Sequence, residues 1–270
     1  MLTNPAPALL RFFLSALLLS LLTLYSVSLL SVDVPLDLLA RYQPPSAAHW
    51  FGTDNLGRDL WLRCFQGVLT SLEIGVGAAL CSGFIAMLVA SLTLVHPAVD
   101  QALRLVIDTL LSLPHLLLLI LICFTLGGGK QGVVVAVALT HWPKLALILR
   151  AEAQRIRTSD YMTLAQRLGN SRWYCWRVHY LPALAAQWFI GTLLMFPHAV
   201  LHSAALSFLG FGLSPHEPSL GILLSDALRF LSNGSWWLAV FPGLMLLLIV
   251  LLFDQCARAI QRLWLRSQSC

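Results

Sequence analysis

Apolar residues in this chain fall into six long blocks separated by shorter polar stretches. The first, Phe12–Val32, carries no charge; the others cover about 74–95, 105–126, 131–149, 183–206 and 236–253. Crossing the ~30 Å hydrocarbon layer of a bilayer takes about 20 apolar residues in a helix. In lipid a spanning segment must satisfy its own backbone hydrogen bonds. The pattern therefore predicts an all-α polytopic membrane protein of about six transmembrane helices. Phe12–Val32 outruns the apolar core of a signal peptide, and no Ala-x-Ala site follows it, so it reads as an uncleaved first helix. The third block carries Asp108 near its start, four residues after Arg104, a helical pairing distance. The fourth runs into His141-Trp142-Pro143-Lys144, which reads as a proline-kinked helix end with interfacial aromatics, and Trp236-Trp237 reads as part of an interfacial belt.

Composition fits lipid and excludes a soluble domain. Hydrophobic residues make up 58% of the chain and charged ones 11%, against roughly 25% charged in soluble proteins. The net charge of +5 does not point to nucleic acid, because the cations flank the apolar blocks. With the N-terminus placed in the cytoplasm, twelve of the 17 Lys and Arg fall on that side and five on the other. The positive-inside rule then predicts both termini and the polar loop 150–182 in the cytoplasm. The six cysteines form no Cys-x-x-Cys pair, which argues against a disulfide framework or a zinc site built on them.

The loop 150–182 is too polar to span and has a pattern of its own. Ser159 or Asp160 can cap a helix. Tyr161, Leu164, Ala165 and Leu168 then recur at the spacing of an amphipathic stripe, and Gly169-Asn170 supplies a stop. Elsewhere His198 and His202 stand at i, i+4, a metal-ligand spacing, but Ala199 rules out the metalloprotease His-Glu-x-x-His. Together with His141 they are candidates to line a translocation path, with no stable metal site expected from two ligands. Gly127-Gly128-Gly129-Lys130 reads as a turn between helices. It is not a phosphate loop, since Phe124 occupies the earlier glycine position and Gln131 follows the lysine. The segment Gly52, Thr53, Asp54, Gly57, Arg58 and Asp59 is rich in turn residues and reads as an ordered outer loop.

Three blocks carry a family resemblance. Thr163-Leu164-Ala165-Gln166-Arg167-Leu168-Gly169, followed by His179-Tyr180-Leu181-Pro182, resembles the Glu-Ala-Ala loop of ABC importer permeases. His49–Asp59 and Ser207-Phe208-Leu209-Gly210-Phe211-Gly212 resemble signatures of the dipeptide, oligopeptide and nickel permeases, in their second, C-type subunit. Thr163 stands where the family has glutamate, and Leu164 replaces an alanine. The resemblance implies a type I importer permease fold with 1–32 as cytoplasmic N-terminus and first helix, 33–69 as outer loop and 70–270 as core domain. It implies that Tyr161, Thr163, Leu164, Ala165, Arg167, Leu168, Gly169, Leu181 and Pro182 dock on a cytoplasmic ATPase. The expected partners are a second related permease, two ATPase subunits and an extracytoplasmic binding protein in the bacterial inner membrane. This chain would bind no cofactor, would not be an enzyme, and would leave ATP to its partners. Thr140-His141-Trp142 and the histidine pair are similar to features of the nickel branch, which implies nickel or another chelated metal as cargo, with a di- or oligopeptide as the alternative. An intramembrane hydrolase lacks a catalytic set, and a secondary transporter would be expected to show internal repeats.

Overall fold

A computed structural model of the chain describes residues 6–214 and 217–267; Cys270 lies outside them. The order is α1 (Ala6–Ser28), α2 (Leu60–Leu92), α3 (Pro97–Ser112), α4 (His115–Thr125), α5 (Gly129–Arg157), α6 (Asp160–Arg167), α7 (Arg172–Cys175), α8 (Leu181–Phe208), α9 (Leu220–Phe230) and α10 (Trp237–Ser267). Five helices are long and apolar enough to cross a membrane, or six if α3 and α4 together count as one span. The centre is α2 against α5 and α8, with α10 packed on α8, α9 and α1. Two-thirds (67%) of the apolar stretch of α5 is buried, against 11% in α1. The first helix therefore borders the bundle and leaves its leucines for lipid or a partner. Ala78, Ala86 and Ala90 of α2 are buried in the same clusters as Ala136, Ala146 and Ala153 of α5. Small side chains let membrane helices approach closely where water supplies no driving force.

The block 105–126 is not one helix. It breaks at Leu113-Pro114, where α3 and α4 meet at 98°. Proline disfavours helical geometry in the residue before it, and Leu113 is extended, with φ −79° and ψ 145°. The 11 residues of α4 rise only about 16 Å, half the hydrocarbon thickness. The Arg104–Asp108 pair forms at 3.6 Å with both side chains exposed, a geometry that contributes little.

Two expected boundaries move. Helix α5 runs through Pro143 to Arg157, so His141 lies near its middle and not at the end expected to be cytoplasmic. Arg150, Arg155 and Arg157 belong to that same helix. Arg150 leaves it to clasp Asp100 of α3 at 2.5 and 2.6 Å. From Arg172 the chain re-enters helix, so the true connection is 158–171 with α6 inside it. Between α7 and α8 the residues Trp176–Tyr180 form a π turn, closed by Leu181 N–H to the Trp176 carbonyl. Pro182 follows at once. It lacks an N–H and crowds the carbonyl four residues back, and a widened turn relieves that clash.

On the opposite face α2 begins at Leu60, so residues 60–69 are helical and the outer loop is shorter than 33–69. Trp237 is buried, and its indole N–H donates to the Thr53 carbonyl at 3.2 Å. It pins the outer segment to α10, while Trp236 alone is exposed as an interfacial residue would be.

Candidate functional site

The α5–α6 corner presents a prepared surface. Ser159 precedes α6 and turns its hydroxyl back to the Ile156 carbonyl at 2.6 Å. Met162 and Ala165 point inward, packing with Ala153, Ile156, Cys175 and Tyr180. Tyr161, Leu164 and Leu168 of the predicted stripe face outward, at 49%, 57% and 72% exposure. The amphipathic pattern is thus split: half of it seats α6 on its own protein, and the rest is left open. Thr163 donates to the Ser159 carbonyl at 3.2 Å and is exposed, as is Arg167. Gly169 ends the helix at φ +81°. Its N–H reaches the Gln166 carbonyl, and Asn170 N–H reaches that of Ala165. This is the paired closure that a left-handed residue allows at a helix C-terminus. Leu181 is half-buried and Pro182 exposed, at the start of α8. Beside the corner a cleft of about 1160 Å³ is lined by Leu88 and Leu92 of α2, Arg157, and Trp173 and Trp176.

The outer segment is held by charge. Asp54 is buried and accepts from Arg58 Nε at 2.7 Å and from Arg63 Nη1 at 2.6 Å. It also accepts from the backbone N–H groups of Leu56 and Arg58 at 2.8 and 2.9 Å. Asp59 caps α2 through Leu62 N–H and meets His49 Nδ1 at 2.9 Å. Thr53 donates to the Ala40 carbonyl at 2.5 Å and accepts from Gln43 N–H. Gly57, at φ +71°, has no room for a Cβ, which would overlap the Asp37 carbonyl. Gly52 also has positive φ and lies against Trp237. Burial pushes the nearby Asp226 carboxyl of α9 up, and the positive field of Arg63 partly offsets this. The side chains of Thr53, Asp54, Arg58 and Asp59 all take part in holding the loop, so the segment reads as a shaped outer surface.

Of the three histidines expected on a path, two come together. His141 and His202 lie with ring centroids 4.9 Å apart, and His198 is exposed and outside the group. The third member is His115, the first residue of α4, at 4.8 Å from His141 and 4.6 Å from His202. Residue spacing does not reveal it, because its neighbours come from helices 26 and 87 residues further along (141 − 115 and 202 − 115). The only hint is its place after the Leu113-Pro114 break.

The family profile described as "Binding-protein-dependent transport system inner membrane component" matches residues 82–266, a stretch that includes the α6 corner and the histidines. The chain belongs to this family of ABC importer permeases. The permease is 36% identical over 204 residues to a provisionally named peptide transport system permease of Brucella suis biovar 1, covering 76% of this chain and 69% of that one. It is 32% identical over 219 residues to the dipeptide transport system permease DppC of Bacillus subtilis, covering 81% and 68%. The oligopeptide permease OppC of the same organism is 32% identical over 208 residues, covering 77% and 68%. Among solved structures, an amino acid ABC transporter superposes with TM-score 0.58 at 17% identity, covering 74% of this chain and 93% of that one. That likeness supports the type I permease fold alone.

Membership makes the permease a multi-pass component of the bacterial inner membrane that works with ATPase and binding-protein partners. It is not an enzyme, since ATP hydrolysis belongs to a separate subunit. The resemblance to importer permeases holds. Its nickel branch gains no support, because the relatives are named for peptides and dipeptides.

Proposed function

We propose that this permease imports short peptides, as half of a permease pair driven by two cytoplasmic ATPase subunits. The observation that carries the coupling is the open face of Tyr161, Leu164 and Leu168 on a helix otherwise seated in the fold. Exposed apolar side chains beside a firm turn suit a groove on a partner. ATP-dependent closure of that partner then shifts the permease between two packed states. The peptide cargo rests on the names of the relatives. A second reading, a chelated metal as cargo, is favoured by the three grouped histidines.

Uptake of labelled dipeptide and of labelled nickel chelate by cells with and without the permease separates the two. Dipeptide accumulation should fall to background on deletion and return with the gene. Unchanged dipeptide uptake beside a loss of nickel uptake would overturn the peptide reading in favour of the second.

Orientation follows the charge bias, with both termini and the α6 corner in the cytoplasm. A cysteine at the exposed position Asn170, placed in a variant lacking exposed Cys81, should resist an impermeant thiol reagent in spheroplasts. It should react fully in inverted vesicles. The opposite pattern would reverse the topology.

A further inference from the structure

We propose that His115, His141 and His202 form a binding site for a divalent transition-metal ion of the Zn²⁺, Co²⁺, Ni²⁺ class. One ring nitrogen from each of the three lies within 4.8 Å of those of the other two. Among the described residues this is the one group of three or more His, Cys, Asp or Glu side chains so placed. The three come from the start of α4, the middle of α5 and the last third of α8, so the group exists only through the fold. The expectation of no stable metal site rested on two histidines of a single helix. In the fold His198 drops out and His115 and His141 join His202, which raises the ligand count to three.

Three observations favour a metal over mere ring contact. First, His141 Nδ1 lies 2.9 Å from the Val137 carbonyl. A carbonyl only accepts, so this contact favours the tautomer with the proton on Nδ1 and the lone pair on Nε2; the Thr140 hydroxyl lies 3.1 Å from the same Nδ1. Anchoring the far nitrogen on a backbone carbonyl is how proteins aim a ligating histidine. Second, the spacing is close to what is needed. Nitrogens about 2.0–2.1 Å from a tetrahedral ion stand about 3.3 Å apart, so small ring rotations close the gap from 4.8 Å. Third, the donors are all imidazole, which suits zinc, nickel, cobalt and copper over magnesium or calcium.

Three protein ligands leave one position of a tetrahedral ion for water or another ligand, so the ion stays exchangeable. Lys144, one turn beyond His141 and exposed, opposes a cation and keeps the affinity moderate. The site does not depend on which cargo the importer carries.

The test uses the assembled, detergent-purified transporter, titrated with Co²⁺ and read by its visible absorption, with Zn²⁺ competition. The expected result is one Co²⁺ per copy of this permease with a tetrahedral spectrum. His202→Gln and His115→Gln should each weaken binding by about tenfold or more, scored per assembled complex so that folding losses do not count. His141→Cys should retain the ion with a thiolate charge-transfer band, and His198→Gln should bind as the wild type does. Wild-type binding no stronger than that of a triple glutamine variant would overturn the proposal. So would equal losses in His198→Gln and His202→Gln.

Discussion

Asp54→Ala is expected to remove most of the permease from the membrane fraction. The Asp54 carboxylate is 4% exposed and holds the guanidinium of Arg63, itself 3% exposed, together with that of Arg58 and two backbone N–H groups. Deleting one partner of a buried ion pair leaves the other charge stranded, at a cost of about 3–5 kcal/mol. Total stabilities are only about 5–15 kcal/mol. Asp54→Asn should lose less, because an amide oxygen still accepts from Leu56 and Arg58. Combining Asp54→Ala with Arg63→Leu should recover part of the loss, since the stranded charge is gone. Yield of inserted protein and unfolding temperature in detergent measure all three. A wild-type unfolding temperature for Asp54→Ala would show that the outer segment contributes nothing to the fold.

Leu164→Glu should have the opposite profile: normal insertion and no coupling. Leu164 is exposed and takes no part in the buried cluster that seats α6, so the change costs the permease itself almost nothing. On the proposed interface it places a charge where an apolar side chain would be buried. Central interface residues of this kind are worth about 2 kcal/mol or more, so co-purification of the ATPase should fall by roughly thirtyfold and transport with it. Met162→Glu is the contrasting control, because Met162 is fully buried and its replacement should reduce yield first. Undiminished ATPase binding by Leu164→Glu would show that docking lies elsewhere.

The membrane architecture was legible because length and apolarity suffice to specify a span. What they miss is local backbone chemistry. Hydropathy passes smoothly over Leu113-Pro114, since both are apolar, yet the steric clash before proline turns the chain by 98° there. The same scale overstated the polar connection between the fourth and fifth apolar blocks. Arg150, Arg155 and Arg157 look like loop, but they sit on a helix of 29 residues, longer than the roughly 20 that a span needs. The α6 corner was readable down to its glycine, because a helix of eight residues and its stop are written in neighbouring positions. Contacts between distant segments were not. Trp237 against Thr53 spans 184 residues, and His115 reaches its companions only through packing. Cargo was the least legible, since both branches of the resemblance share the same three motifs.

Helix α5 runs unbroken from the outer glycine turn to the α6 corner, and Pro143 stands at its midpoint. About 14 residues on each side make two arms of roughly 21 Å. With its ring in place of an N–H, the proline leaves one rung of the ladder open and makes that point the easiest to bend. If the α6 corner docks an ATPase as proposed, a pull on that end would act on a lever whose fulcrum lies two residues from His141. Near a fulcrum the displacement is small while the change of angle is complete. A stroke delivered at that tip would reach the three imidazoles mainly as a rotation of one ring against the other two, the motion to which a coordination sphere is most sensitive.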